Sequence, residues 1–173
     1  FKKQIMLNVG DYVYGYDNDK MESIVSDILI NKNLTLSIAE SCTGGYISKK
    51  ITDIPGSSDF FLGSIVAYDN YIKKNVLGVS SDDIDRFGAV SVQVSESMAI
   101  NVSKKFNSDI SIACTGISGP DGGTDDKPVG TVFISVKYLD KLISKKFIFR
   151  VDRKSHRLMT KQASLYILWS LIK

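Results

Sequence analysis

Three residues of this 173-residue chain could together attack an acyl carbon: Ser41, Tyr68 and Lys73. A serine hydroxyl is a weak nucleophile until a neighbouring base takes its proton. Lysine can be that base only where burial or a nearby cation lowers its pKa. A Ser-His-Asp arrangement would have to use His156, the single histidine, and nothing in the sequence ties it to Ser41. A Ser-Lys pairing assisted by Tyr68 is the alternative, and it requires Lys73 to lie largely out of solvent. The two cysteines, Cys42 and Cys114, are too few for a disulfide framework and lack metal-ligand spacing, so no structural metal is expected.

Local patterns suggest how these groups are held. Leu34, Leu36 and Ile38 alternate with Thr35, Ser37 and Ala39, a period of two that predicts a strand. Tyr46, Ile47, Lys49, Lys50 and Ile51 suit a helix beginning near Thr43, which puts Ser41 in the turn between. Free amides and the positive end of the helix dipole would then converge beside a hydroxyl, a setting for an oxyanion. Capping of the helix by Ser41 and Thr43 explains the same residues. Phe60 to Tyr68 reads as a buried strand, followed by a short helix capped by Asp69 or Asn70, carrying Lys73 and stopped by Gly78. Ligands collect at the carboxyl ends of strands in open α/β sheets, so Ser41, Tyr68 and Lys73 could share one crevice. Taken singly, Tyr68 reads as a strand-end aromatic and Lys73 as a surface lysine.

The remaining segments continue the alternation of helix and strand. Asp11 to Tyr16 reads as extended, Asp17, Asn18 and Asp19 offer a cap, and Met21, Ile24, Val25, Ile28 and Leu29 predict a helix ending near Asn31 to Asn33. A soft boundary falls near Asp17, leaving residues 1–16 as the end of a preceding segment or linker. Pro55-Gly-Ser-Ser is a turn. Ser80 to Phe87 reads as a short helix, and Ser91 caps a longer one with Val94, Met98, Ala99, Val102 and Phe106 on its core face. Asp109 to Cys114 is a buried strand that runs into Thr115-Gly-Ile-Ser-Gly-Pro-Asp-Gly-Gly123. Such a loop can approach phosphate or ribose closely, though it has neither P-loop nor dinucleotide spacing and equally suits a plain surface loop. Thr131 to Tyr138 and Leu142 to Val151 read as a hairpin. Asp152 opens a last helix whose apolar surface draws on Leu158, Ala163, Leu165, Tyr166 and Trp169.

Arg150, Arg153 and Arg157 cluster where that hairpin meets the helix, a candidate anion clamp because a guanidinium grips phosphate through two parallel hydrogen bonds. Pairing with surface carboxylates is the competing use. His156, in their midst, is expected on the helix surface. Scattered lysines account for the net charge of +3 and suit a solvated surface, not a nucleic-acid footprint. No apolar run approaches the ~20 residues needed to span a bilayer and no basic-then-apolar leader opens the chain, so a cytoplasmic setting is the default expectation.

The motifs at 39–45 (Ala-Glu-Ser-Cys-Thr-Gly-Gly), 54–58, 66–70, 88–91, 115–123 and 127–132, with Asp152-Arg153 and Arg157, resemble the CinA C-terminal domain over roughly residues 20–173. The resemblance implies a three-layer α/β/α sandwich with a mixed, mostly parallel sheet. It implies an amidase that hydrolyses nicotinamide mononucleotide to nicotinate mononucleotide and ammonia in pyridine-nucleotide salvage, with no cofactor. By the same resemblance Ser41, Tyr68 and Lys73 are catalytic. Backbone amides from Thr43, Gly44 and Gly45 are then expected to hold the oxyanion, and Thr115, Gly116, Gly119, Arg153 and Arg157 are expected to contact ribose and phosphate. Val151 stands where the family commonly has glycine. Gly10 to Gly15 is similar to the segment that precedes this domain in two-domain relatives, whose front half resembles molybdopterin-binding domains, and by that likeness Phe1 would be a cut point inside a longer chain. Neither membrane nor nucleic acid is expected as a partner, and a homo-oligomer is left open. Two other readings remain: a nucleotide-binding module without turnover, and a competence or DNA-repair interaction protein, which would need a basic face for salt-sensitive binding.

Overall fold

The computed structural model describes residues 2–173, with the side chains of all but residues 2–5 and 11. In chain order the elements are α1 (Lys2–Val9), α2 (Met21–Lys32), β1 (Leu36–Glu40), α3 (Tyr46–Thr52), β2 (Phe61–Val66), α4 (Asn70–Asn75), α5 (Ser81–Phe87), α6 (Val92–Phe106), β3 (Ile110–Gly116), β4 (Thr131–Tyr138), β5 (Lys141–Ile148) and α7 (Arg153–Ile172). Hydrophobic alternation places β1 and β3 at the centre of a five-stranded sheet of order β2-β1-β3-β4-β5. β2, β1 and β3 run parallel, with Glu40 level with Val66 on one side and Cys114 on the other. β4 is antiparallel to β3, and β5 to β4, so four of the five strands share one direction.

The two faces of the sheet are packed differently because their side chains differ in size. Leu36, Ile38, Ile110, Ile112, Val132 and Ile134 meet α2, α3 and α7 in the larger core. The opposite face presents Ala39, Ala113, Ser111 and Ser135 to α6. These short residues let the helix sit close: Ser111 Oγ donates to the Ala99 carbonyl at 2.7 Å, and Ser95 and Ser135 hydroxyls meet at 2.7 Å. The result is the three-layer α/β/α sandwich.

Capping residues fix the elements nearest the carboxyl edge of the sheet. Asp69 accepts the Tyr71 amide, Ser91 the Val94 amide, and Asp152 the amides of Lys154 and Ser155. α2 differs from expectation. Its N-cap is Lys20 with no side-chain cap, because Asp19 accepts the Tyr16 amide in the preceding turn. Residues 10–12 form a 3-10 turn and 13–16 an irregular segment in place of the extended stretch expected there, with Tyr14 set edge-on to Trp169. β2 is only half-buried, since it pairs with β1 alone at the edge of the sheet. Leu158 faces solvent, unlike the rest of the apolar set expected on α7. Among the described residues, no helix is long and apolar enough to cross a membrane.

Close approach of α6 predicts that Ala113→Leu destabilises the protein by about 1–3 kcal/mol through overpacking. The urea midpoint should fall at constant slope; an unchanged midpoint would show that the α6 layer has room to spare.

Candidate active site

The turn after β1 is built around a buried carboxylate. Glu40, fully buried, accepts four hydrogen bonds: from Thr43 Oγ1 at 2.6 Å, the Ile47 amide at 3.1 Å, the Ser48 amide at 2.8 Å and Ser48 Oγ at 2.5 Å. The first amides of α3 are therefore bound to the chain's own anion, and the positive end of this helix is not open to a ligand as the sequence suggested. Between Glu40 and α3 the chain reverses through Gly44 and Gly45, the latter at φ 89°, a conformation that strains residues with a Cβ. The Ser41 amide donates to the Cys114 carbonyl at 3.1 Å and the Gly44 amide to the Ser41 carbonyl at 3.0 Å. The amides of Cys42, Thr43 and Gly45 have no acceptor among the described residues.

Ser41 opens onto a cavity of about 200 Å³ at the carboxyl ends of β1, β2 and β3, lined also by Tyr68, Lys73, Thr115, Gly116 and Arg153. Six residues singled out from the sequence thus share one pocket. Lys73 is 2% exposed, where its type predicts a surface position. Its Nζ donates to the carbonyls of Ala67 at 2.8 Å and Tyr68 at 3.0 Å. Burial lowers its pKa below the ordinary lysine value, with Asp69 partly opposing the shift. With two hydrogens held by carbonyls, the remaining position on nitrogen is a lone pair when the amine is neutral and an N–H when it is charged. Cys42 also lines the cavity, but contact with the Cys114 thiol and burial push its pKa up, so it stays a poor nucleophile.

Hydrogen bonds tie the other expected residues to the cavity wall and to the turn beside it. The Tyr68 phenol is held by Arg153 Nη2 at 2.6 Å, while Arg153 Nη1 donates to the Gly119 carbonyl at 2.9 Å. Arg157 does not line the pocket; its Nε donates to the Thr43 carbonyl at 2.9 Å, and the guanidinium lies 5.7 Å from the Tyr46 ring centre. Neither guanidinium pairs with a carboxylate among the described residues. Thr43 turns its hydroxyl to Glu40 and away from the cavity. Thr115 Oγ1 donates to the Ala89 carbonyl at 2.8 Å.

His156 departs most from expectation: instead of lying on the surface of α7 it is fully buried, between Ser118 Oγ at 2.9 Å and the Gly130 carbonyl at 3.1 Å. Asn70 and Ser118 line the cavity without having been foreseen, as does the anchoring role of Glu40. The signal for Glu40 was present: an acid ending a strand, just before a helix whose first amides need an acceptor. A wider apolar groove of about 350 Å³ lies between β5 and α7, around Phe147, Phe149 and Tyr166, and holds none of these reactive groups. No three His, Cys, Asp or Glu side chains converge on a common point among the described residues.

Glu40→Gln places an amide NH₂ against donors where the carboxylate accepts, and should cost about 1–3 kcal/mol for the unsatisfied buried groups. The check is the denaturation midpoint, and wild-type stability would overturn the assignment. A second outcome concerns pH. Burial lowers the His156 pKa below 6.5, so the unfolded chain binds the proton first and stability falls as pH drops from about 6.5 toward the folded value. The carboxyls of Asp53, Asp109 and Asp152 are also held low, but from 3.8, so their effect begins at lower pH. Urea midpoints between pH 5 and 8 should slope in the wild type and flatten in His156→Gln; a flat wild-type profile contradicts the burial argument.

Residues 18–172 match the family model described as the CinA C-terminal domain. A CinA-like protein of Dictyoglomus thermophilum is 46% identical over 158 residues, 91% of this chain and 38% of that protein. Another, from Gloeothece citriformis, is 50% identical over 134 residues, 78% of this chain and 32% of the relative. The crystal structure of a CinA superfamily protein from Enterobacter cloacae superposes with a TM-score of 0.85 at 30% identity, covering 92% of this chain and 96% of that one. The chain spans about two fifths of the length of the curated relatives it matches. A sandwich of this topology, a motif-bearing cavity at its strand ends and a match over nearly the whole sequence place the chain in the CinA C-terminal domain family.

Proposed function

We propose that this domain is an amidase that hydrolyses nicotinamide mononucleotide to nicotinate mononucleotide and ammonia, with Ser41 as nucleophile and Lys73 as general base. The observation that carries the reading is a buried lysine amine, tied by two carbonyls, in the same cavity as a serine hydroxyl. Desolvation favours the neutral amine, which is the form that can take a proton.

The reaction follows from these positions. Ser41 Oγ bonds to the carboxamide carbon as its proton passes to Lys73 Nζ. The carbonyl π pair moves to oxygen, and the amides of Cys42, Thr43 and Gly45 are the donors near in sequence that can receive the oxyanion. Collapse breaks the C–N bond while the Lys73 ammonium protonates the departing nitrogen, releasing ammonia and leaving an ester on Ser41. Water, deprotonated by Lys73, then attacks the ester; the C–O bond to Ser41 breaks, and the proton returns to the serine. Tyr68 supports Lys73 through its carbonyl, and its phenol, gripped by Arg153, forms part of the rim. Arg153, exposed at that rim, is the cation best placed for the phosphate, whereas Arg157 positions the Ser41 turn through Thr43.

Purified protein should release ammonia from nicotinamide mononucleotide in preference to simple amides. Ser41→Ala should abolish release while substrate still binds, and Lys73→Met should lower kcat by about 10²–10⁴. The ascending limb of the kcat/KM profile should lie below 10.5, the ordinary lysine value. An active Ser41→Ala protein would reject the nucleophile, and a limb at 10.5 or above would reject Lys73 as base.

A further inference from the structure

Ser118 and His156 take no part in the steps above, yet Ser118 lines the cavity and its hydroxyl is paired with the His156 ring. His156 Nε2 lies 3.1 Å from the Gly130 carbonyl oxygen. A carbonyl has no hydrogen to give, so Nε2 must carry the proton. The ring is neutral near pH 7, because burial lowers its pKa and the Arg153 charge lowers it further, outweighing the opposite pull of the Gly130 carbonyl. Nδ1 is then an unprotonated acceptor, and the partner at 2.9 Å, Ser118 Oγ, must donate to it. A serine hydroxyl has one hydrogen and two lone pairs. With the hydrogen committed to His156, lone pairs are all that this oxygen retains for the cavity that Ser118 lines.

The surroundings hold that orientation. Turning the ring over would set a C–H against both Ser118 and Gly130, and the Phe149 ring packs against it at 6.0 Å and 66°. Gly130, at φ 97°, cannot accept a larger residue, since a Cβ there would collide with the Phe149 carbonyl. On the other side, Arg153 fixes the loop at the next residue through the Gly119 carbonyl.

We infer that Ser118 is a specificity-determining residue of the Ser41 cavity: an obligate hydrogen-bond acceptor, oriented by His156, that selects a donor on the ligand, a hydroxyl or an amide N–H, and disfavours an anionic oxygen at that point. The identity of the ligand rests on the amidase reading; the polarity of Ser118 does not. In nicotinamide mononucleotide the donors are the two ribose hydroxyls and the carboxamide NH₂, while the phosphate and the carboxylate of the product only accept.

The test has two parts. The chain holds one histidine, so the ring of ¹⁵N-labelled protein can be read without assignment ambiguity in long-range ¹H–¹⁵N spectra near pH 7. The expected signature is a neutral ring protonated at Nε2; a proton on Nδ1 would overturn the proposal whatever the enzyme does. In kinetics, Ser118→Ala should raise KM for nicotinamide mononucleotide about tenfold while changing kcat far less, as for loss of one binding hydrogen bond. A 2′,3′-dideoxyribose analogue distinguishes the sources: the KM penalty of Ser118→Ala disappears if a ribose hydroxyl is the donor and persists if the carboxamide is. Unchanged KM for both substrates would refute the assignment. A wild-type protein that releases no ammonia would sink the amidase reading alone, and the ring tautomer would still decide the polarity of Ser118.

Discussion

The arrangement depends on a negative charge held inside the protein. Glu40 ends a central strand, and its carboxylate gathers two amides and two hydroxyls from the segment that follows. Burying a carboxylate with no compensation costs several kcal/mol, so the interaction is stabilising only because all four donors converge. That requirement couples the end of β1 to the start of α3 and leaves the intervening turn little freedom. Ser41 is presented to the cavity by this constraint. Arg157 adds a second restraint from outside, through the Thr43 carbonyl.

Lys73 is the complementary case, a cation-forming group placed where charge is disfavoured. Carbonyls at the end of β2 take its hydrogens, and the Asp69 cap of α4 keeps the helix that carries it at the strand end. Loss of solvation lowers its pKa without a neighbouring cation being needed. Hence the same parallel strands that build the core also bring the Ser41 hydroxyl and the Lys73 amine to one cavity.

Much of this was legible in the sequence because it rests on local chemistry. The strand-turn-helix around Ser41, the caps at Asp69, Ser91 and Asp152, and the hairpin of β4 and β5 follow from alternation and from residues that bond their own backbone. The burial of Lys73 is a requirement of the chemistry that composition does not supply, since it depends on how β2 and α4 close over the amine. His156 has a sequence context that suggests exposure. On α7 it forms a stripe with Thr160 and Ser164, polar at every fourth residue, which resembles a solvated face. Thr160 and Ser164 donate instead to the carbonyls four residues earlier, and His156 finds partners near the two ends of the distant loop between β3 and β4, so the stripe can be buried. Long-range partners are what periodicity lacks.

The alternation of a strand explains how anchor and reactive group can be neighbours without interfering. Successive side chains point to opposite faces, so Glu40 turns toward α3 while Ser41, one residue on, turns toward the cavity. β3 repeats the division in register: Cys114, level with Glu40, meets the Thr43 hydroxyl at 3.1 Å, and Thr115 faces the cavity and bonds Ala89. One face of the sheet edge therefore carries the groups that fix the turn, and the other carries those exposed to a ligand. Shifting either strand by one residue would exchange the two sets, burying Ser41 among the anchors and presenting Glu40 to the cavity. The small residues that let α6 pack closely, Ala39 and Ala113, occupy that same face one step further from the edge. The register that makes the core tight is for this reason the register that leaves the hydroxyl and the amine facing a common space.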